Sequence, residues 1–141
     1  MIVSYPTGAE FLQANQALLQ ENPYLSTFFT LDAPLLRQAD TINYALRCEQ
    51  GEKRLLALKV EPYNLLLLGE ETCVPELLQF LFDGGYELKN YLCASELGYV
   101  LQRALEPYGR RYEEALAMDF MEARTVTEPS APEVETAGEG D

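Results

Sequence analysis

Histidine is absent from the 141 residues, which removes the side chain that most often serves as general base, triad member and metal ligand near neutral pH. Only three cysteines occur, Cys48, Cys73 and Cys93, widely spaced and without a C-x-x-C pair to seed a zinc site. They read as small buried hydrophobes in a reducing compartment, not as nucleophiles or metal ligands. Bases are scarce as well. Ten Lys plus Arg stand against 23 Asp plus Glu, a net charge of −13, the wrong sign for a phosphate backbone or an anionic membrane surface. The expectation is therefore no nucleic acid and no membrane among the partners. The longest uncharged apolar run, Leu65 to Leu68, is far too short to span a bilayer. The opening Met-Ile-Val-Ser-Tyr-Pro lacks the basic start and apolar stretch of a secretory signal, so a cytoplasmic location is expected. No residue constellation identifies a reaction, and no catalytic, cofactor-binding or metal residue is assigned.

What is present is one domain's worth of chain, 48% apolar and 23% charged. Composition changes after Arg124: residues 125–141 carry five acids, no bases, two prolines and two glycines, the pattern of a disordered acidic tail or an interdomain linker. Residues 1–124 keep 18 acids and 10 bases, so the folded part is acidic too. Within it, Ile2–Tyr5 is a possible short strand. Thr7 and Glu10 have capping-box spacing ahead of a helix over about 8–21, and Pro23 opens a second, shorter one. From Thr41 the period changes to two, with Ile42, Tyr44, Leu46 and Cys48 on one face. Further strands are predicted over 54–60, over 63–68 with burial on both faces, and over 86–92. Helices are predicted over 74–82, stopped by Asp83-Gly84-Gly85, and after a capping Ser95. Alternation from Ala115 to Phe120 reads as one closing strand. The total is an α+β domain with a mixed sheet of about six strands flanked by four helices.

Three stretches carry a resemblance. They are the Glu10-Phe11-Leu12 to Asn15 helix with Glu21-Asn22 at its end, the Glu61-Pro62-Tyr63-Asn64-Leu65-Leu66 step into a buried strand ending at Gly69, and the Ala123-Arg124 exit into the acidic segment. With the element order, they make residues 1–124 resemble the acyl-CoA-dependent N-acetyltransferase (GNAT) fold, more closely the non-catalytic N-terminal domain of its two-domain members. The resemblance implies a GNAT-like, mostly antiparallel sheet and a C-terminal GNAT catalytic domain as partner, with a homodimer as a further possibility. It also implies acetyl-CoA as the cofactor of that catalytic half and none for this chain.

Catalytic members carry Gln/Arg-x-x-Gly-x-Gly/Ala after the buried strand, where backbone N–H groups at a helix N-terminus surround the coenzyme A pyrophosphate. The equivalent stretch here is Gly69-Glu70-Glu71-Thr72-Cys73-Val74-Pro75, with two carboxylates, one lost N–H donor at Pro75 and no later glycines. Coenzyme A is not expected to bind in the usual way. Glu70 and Glu71 read as charges answering a helix dipole rather than as a catalytic pair. Tyr99, Tyr108 and Tyr112 surround the last helix, near where many members place a tyrosine acid, but tyrosine is ordinary filler in such domains. Pro62, Tyr63 and Asn64 are the candidate cleft or interdomain contact, with a purely structural corner as the competing explanation. Two other functions stay open. One is a free-standing acetyltransferase with a degenerate coenzyme A loop and Glu61 or Glu114 as base; the other is a small-molecule or protein-binding module on the same fold.

Overall fold

The computed structural model describes residues 1–109, 112–117 and 120–125, the last two spans by backbone and strand pairing. Five strands, β1 (Ile2–Tyr5), β2 (Tyr44–Gln50), β3 (Lys53–Lys59), β4 (Leu65–Gly69) and β5 (Tyr91–Ala94), continue into a hairpin of β6 (Tyr112–Ala117) and β7 (Phe120–Thr125). The sheet order is β1-β2-β3-β4-β5-β7-β6. All neighbours are antiparallel except β4 and β5, which run parallel. A parallel pair needs a crossover, and α4 (Val74–Asp83) supplies it. The architecture is thus mixed α+β.

Strand alternation sorts the core into two layers. Tyr44, Leu46, Leu55, Ala57, Leu65 and Leu67 face α4 and α5 (Ser95–Leu105). Their neighbours Ala45, Leu56, Leu58, Leu66 and Leu68 face α1 (Gly8–Ala14), α2 (Gln16–Gln20) and α3 (Pro23–Asp32). Both faces of β4 are covered, as its unbroken leucines predict. Gly8 is required where α1 crosses the 3₁₀ turn after α3, because a Cβ there would sit 1.7 Å from the Ala33 carbonyl oxygen. None of the helices among the described residues is long and apolar enough to cross a membrane.

Several expectations are corrected. The helix predicted over 8–21 is two helices, since Asn15 leaves helical geometry (φ −117°, ψ 23°) while its Nδ2 donates to the Phe11 carbonyl at 2.9 Å. That break makes five α-helices among the described residues instead of four. Thr7 does cap α1, its hydroxyl accepting from the Glu10 N–H at 3.3 Å. β2 starts at Tyr44, not Thr41, because the Asp40 carboxylate accepts from the N–H groups of Ile42 and Asn43, both at 2.7 Å, and holds the chain in a turn. β5 starts at Tyr91, not Tyr86. Gly85 (φ 72°) lets the Tyr86 N–H return to the Leu81 carbonyl, and the Tyr86 ring packs on Tyr44 at 5.1 Å. Ser95 is the first residue of α5, and the cap position is Ala94. The closing strand is a hairpin, β6 with β7, giving seven strands among the described residues; the alternation from Ala115 to Phe120 runs from the end of one strand into the start of the next. Met118 and Asp119 of that alternation, and residues 126–141 of the acidic segment, lie outside the described residues.

Candidate functional site

β4 and β5 pair over two positions only, Leu65 with Tyr91 and Leu66 with Leu92. Beyond them lies a cleft of about 270 Å³ between Leu67, Gly69, Glu70, Ala94 and the α2–α3 corner at Glu21 and Asn22. It runs into a second recess of about 210 Å³ that adds Glu52 and Arg54. The corner exists because α2 ends at Glu21 and Pro23 opens α3, with the Asn22 side chain turned back to donate to the Leu18 carbonyl at 3.0 Å. Glu21 and Glu70 are thereby brought to one cleft from positions 49 apart in the chain. Glu70 has one weak cation, Lys53 at 4.0 Å, and both groups are half in solvent.

Gly69 has a structural task at this mouth. Its φ is +142°, and a Cβ would meet the Arg54 carbonyl oxygen at 2.1 Å. The Glu70 N–H donates to that same oxygen at 2.8 Å. A 3₁₀ turn, Glu71–Cys73, then leads into α4, whose first turn carries Pro75 and Glu76. Glu76 is itself occupied. Its carboxylate meets the Met1 amino group at 2.5 Å and the Gln50 amide at 3.0 Å, with the Cys48 thiol at 3.4 Å. The N-terminal charge and those donors hold it at about 2.

The predicted trio Pro62, Tyr63 and Asn64 falls at the opposite end of the sheet. Pro62 and Tyr63 line a shallow hollow of about 440 Å³ with Leu35, Arg37, Asn43 and Glu61. Asn64 is half-buried and is not part of that lining. The corner is a turn, with the Tyr63 N–H donating to the Val60 carbonyl at 2.8 Å and the Asn43 side chain accepting from the Glu61 N–H at 2.7 Å. The β3–β4 register is continuous from Leu55/Gly69 to Leu58/Leu66, so the irregularity is confined to the corner that links the strands.

The remaining candidates are placed as follows. Glu61 pairs at 3.4 Å with Lys59, whose side chain is 3% exposed. Partial desolvation works to raise the Glu61 carboxyl, but Lys59 and Lys89 outweigh it and hold the group below its usual range, which suits an ion-pair partner rather than a base. Burial raises Asp32, against the pull of the same lysine. The side chains of Glu114 and Tyr112 lie outside the described residues. Tyr99 is exposed on α5, and Tyr108 stacks on Phe82 at 4.2 Å. All three thiols are buried, and burial pushes Cys48 and Cys93 up to about 12. Gly84 and Gly85 end α4, as predicted. What sequence reasoning missed is the convergence of Glu21, Glu52 and Glu70, which no local spacing encodes.

No family model, curated protein or solved structure matches this chain.

Proposed function

We propose that this chain is the non-catalytic N-terminal domain of a GNAT-type N-acetyltransferase, packing against or regulating a catalytic half that acts on acetyl-CoA. The sheet order, with α1–α3 after β1, α4 between β4 and β5, and α5 between β5 and β6, agrees with the fold that the resemblance implies. The observation that carries the non-catalytic part is the mouth where β4 and β5 part. A pyrophosphate needs backbone N–H groups approached closely and a positive field. This mouth offers Glu21 and Glu70 instead, with Glu71 and Glu76 in the turns that follow. Its one glycine is taken up by the crossing with Arg54. These groups fit a dianion poorly, so the chain is read as holding the fold without the cofactor.

The test is an amide NMR titration of the labelled chain with acetyl-CoA, using coenzyme A and a plain nucleotide as controls. No saturable shift is expected between Gly69 and Leu77 or between Tyr91 and Ala94 at millimolar ligand. Saturation in the micromolar range would overturn the proposal and make a free-standing acetyltransferase the leading reading.

A further inference from the structure

Every residue of α3 from Pro23 to Leu31 is uncharged, in a chain with a net charge of −13. One side of the helix is accounted for: Phe29 is buried against the sheet, and Ala33 and Leu36 continue that face. An outer stripe is just as apolar. Tyr24, Phe28, Leu31 and Leu35 follow one another at intervals of 4, 3 and 4 residues, the spacing of a seam between two helices. Phe28 is partly buried, while Tyr24, Leu31 and Leu35 are 64%, 65% and 54% exposed. A helix that is apolar on both sides is one that is covered on both sides.

The polar side chains around the stripe do not oppose its burial. The hydroxyls of Ser26 and Thr27 each donate to the Pro23 carbonyl at 3.1 Å, and that of Thr30 donates to the Ser26 carbonyl at 2.9 Å. Covering them leaves no hydroxyl donor without a partner. The stripe is also complementary to itself. Laid antiparallel on a second copy, about a two-fold axis between Phe28 and Leu31, it sets Phe28 of one copy against Leu31 of the other and Tyr24 against Leu35. Beside Leu35 lies the hollow of about 440 Å³ formed with Pro62 and Tyr63, a seat for the opposing Tyr24 ring. In the same register Arg37 comes opposite Asn22, one residue from the exposed Glu21. Arg37 lines the hollow and has no ion pair among the described residues. The two-fold axis makes that meeting of opposite charges occur twice. A basic partner would gain nothing from an uncharged stripe, whereas two copies of so acidic a chain can meet here without opposing like charges.

We infer that the Tyr24, Phe28, Leu31 and Leu35 stripe is the interface between two copies of this chain, packed antiparallel with Arg37 of each near Glu21 of the other. A seam of about three turns is small beside the roughly 1,600 Å² of a standard interface, so dissociation in the micromolar range is expected. The inference does not rest on the acetyltransferase reading, and either can fail alone.

The test is sedimentation velocity of the full 141-residue chain from about 5 μM to about 1 mM, with far-UV circular dichroism to check each variant's fold. Wild type is expected to pass from monomer to dimer across that range. Leu31→Glu, at an exposed position, raises the dissociation constant at least about tenfold, and Tyr99→Glu on α5 leaves it unchanged. Arg37→Glu and Glu21→Arg each weaken the dimer, and the two together restore it, which a merely structural role for either residue would not produce. A wild type that is monomeric throughout overturns the inference. So does a dimer that Leu31→Glu leaves intact, which would place the contact on another face.

Discussion

The amino group of Met1 lies 2.5 Å from Oε2 of Glu76 and 2.9 Å from the Glu49 carbonyl oxygen, so the first residue is tied both to β2 and to the first turn of α4. The same carboxylate takes the Gln50 amide on its other oxygen at 3.0 Å. This depresses Glu76 to about 2 and raises the amine above its ordinary 8.0.

The signs of those two shifts give opposite pH limbs. A carboxylate held below its unfolded value of 4.5 contributes stability that is present above 4.5 and is lost as pH falls towards 2. A raised amine contributes stability that is complete below 8.0 and is lost as pH climbs past its folded value. Glu76→Gln is expected to flatten the acid limb, measured as the urea midpoint against pH. Acetylation of the Met1 amine should flatten the alkaline limb and weaken the acid one. An acid limb of equal slope in wild type and Glu76→Gln would show that the pair does not couple to folding.

Asn15 carries the break between α1 and α2 and is 3% exposed. Its Nδ2 donates to the Phe11 carbonyl, and its Oδ1 accepts from the Arg47 guanidinium at 3.1 Å. Asn15→Ala leaves the partly buried Arg47 guanidinium one acceptor short and takes one of two donors from the Phe11 carbonyl, which keeps the backbone N–H of residue 15 at 3.2 Å, at a cost of about 1–3 kcal/mol. Arg47 keeps its ion pair with Glu49 at 2.6 Å, which limits the loss. Denaturant unfolding measures it, and an unchanged midpoint would mean that water replaces both bonds.

Asn15 also marks where the sequence stopped being legible. Apolar spacing alone places one helix over 8–21, because Phe11, Leu12, Leu18 and Leu19 keep a single face across the break. The partner that rewards the break, Arg47, lies 32 residues away. The strands whose alternation sets one face against another, β2 and β3, were readable within a few residues. The hairpin of β6 and β7 was not, since period-two alternation carries no mark of where one strand ends and the next begins. The candidate cleft divides in the same way. The acidic loop at Gly69-Glu70-Glu71 is visible in the sequence; Glu21 and Glu52 joining it depends on how α2, β3 and β4 stack.

The thiols give a prediction that separates a buried hydrophobe from a reactive group. Cys48, Cys73 and Cys93 are all buried, and those at 48 and 93 are held near 12, where almost no thiolate exists at neutral pH. The native protein is expected to leave an aromatic disulfide reagent uncoloured at pH 8, and three equivalents should react once denaturant is added. A fast equivalent in the native state would mark one of these cysteines as accessible and reopen its reading as a nucleophile.

Gly69 separates a structural from a cofactor role at the mouth of the cleft. If a glycine there served close approach to a phosphate, replacing it would cost ligand binding and little stability. In this fold a Cβ would meet the Arg54 carbonyl oxygen at 2.1 Å and the Leu55 Cα at 2.7 Å, on a backbone with φ +142°. Gly69→Ala is therefore expected to cost at least about 2 kcal/mol, from backbone strain and displacement of β3 together. Gly51→Ala is the control, since Gly51 also has a positive φ (+63°) but open space around its missing Cβ, and only the backbone cost of about 1 kcal/mol remains. Equilibrium unfolding of both variants isolates the packing term as their difference. A Gly69→Ala protein no less stable than Gly51→Ala would mean that the β3–β4 crossing yields easily, and that the glycine is free to serve a ligand after all.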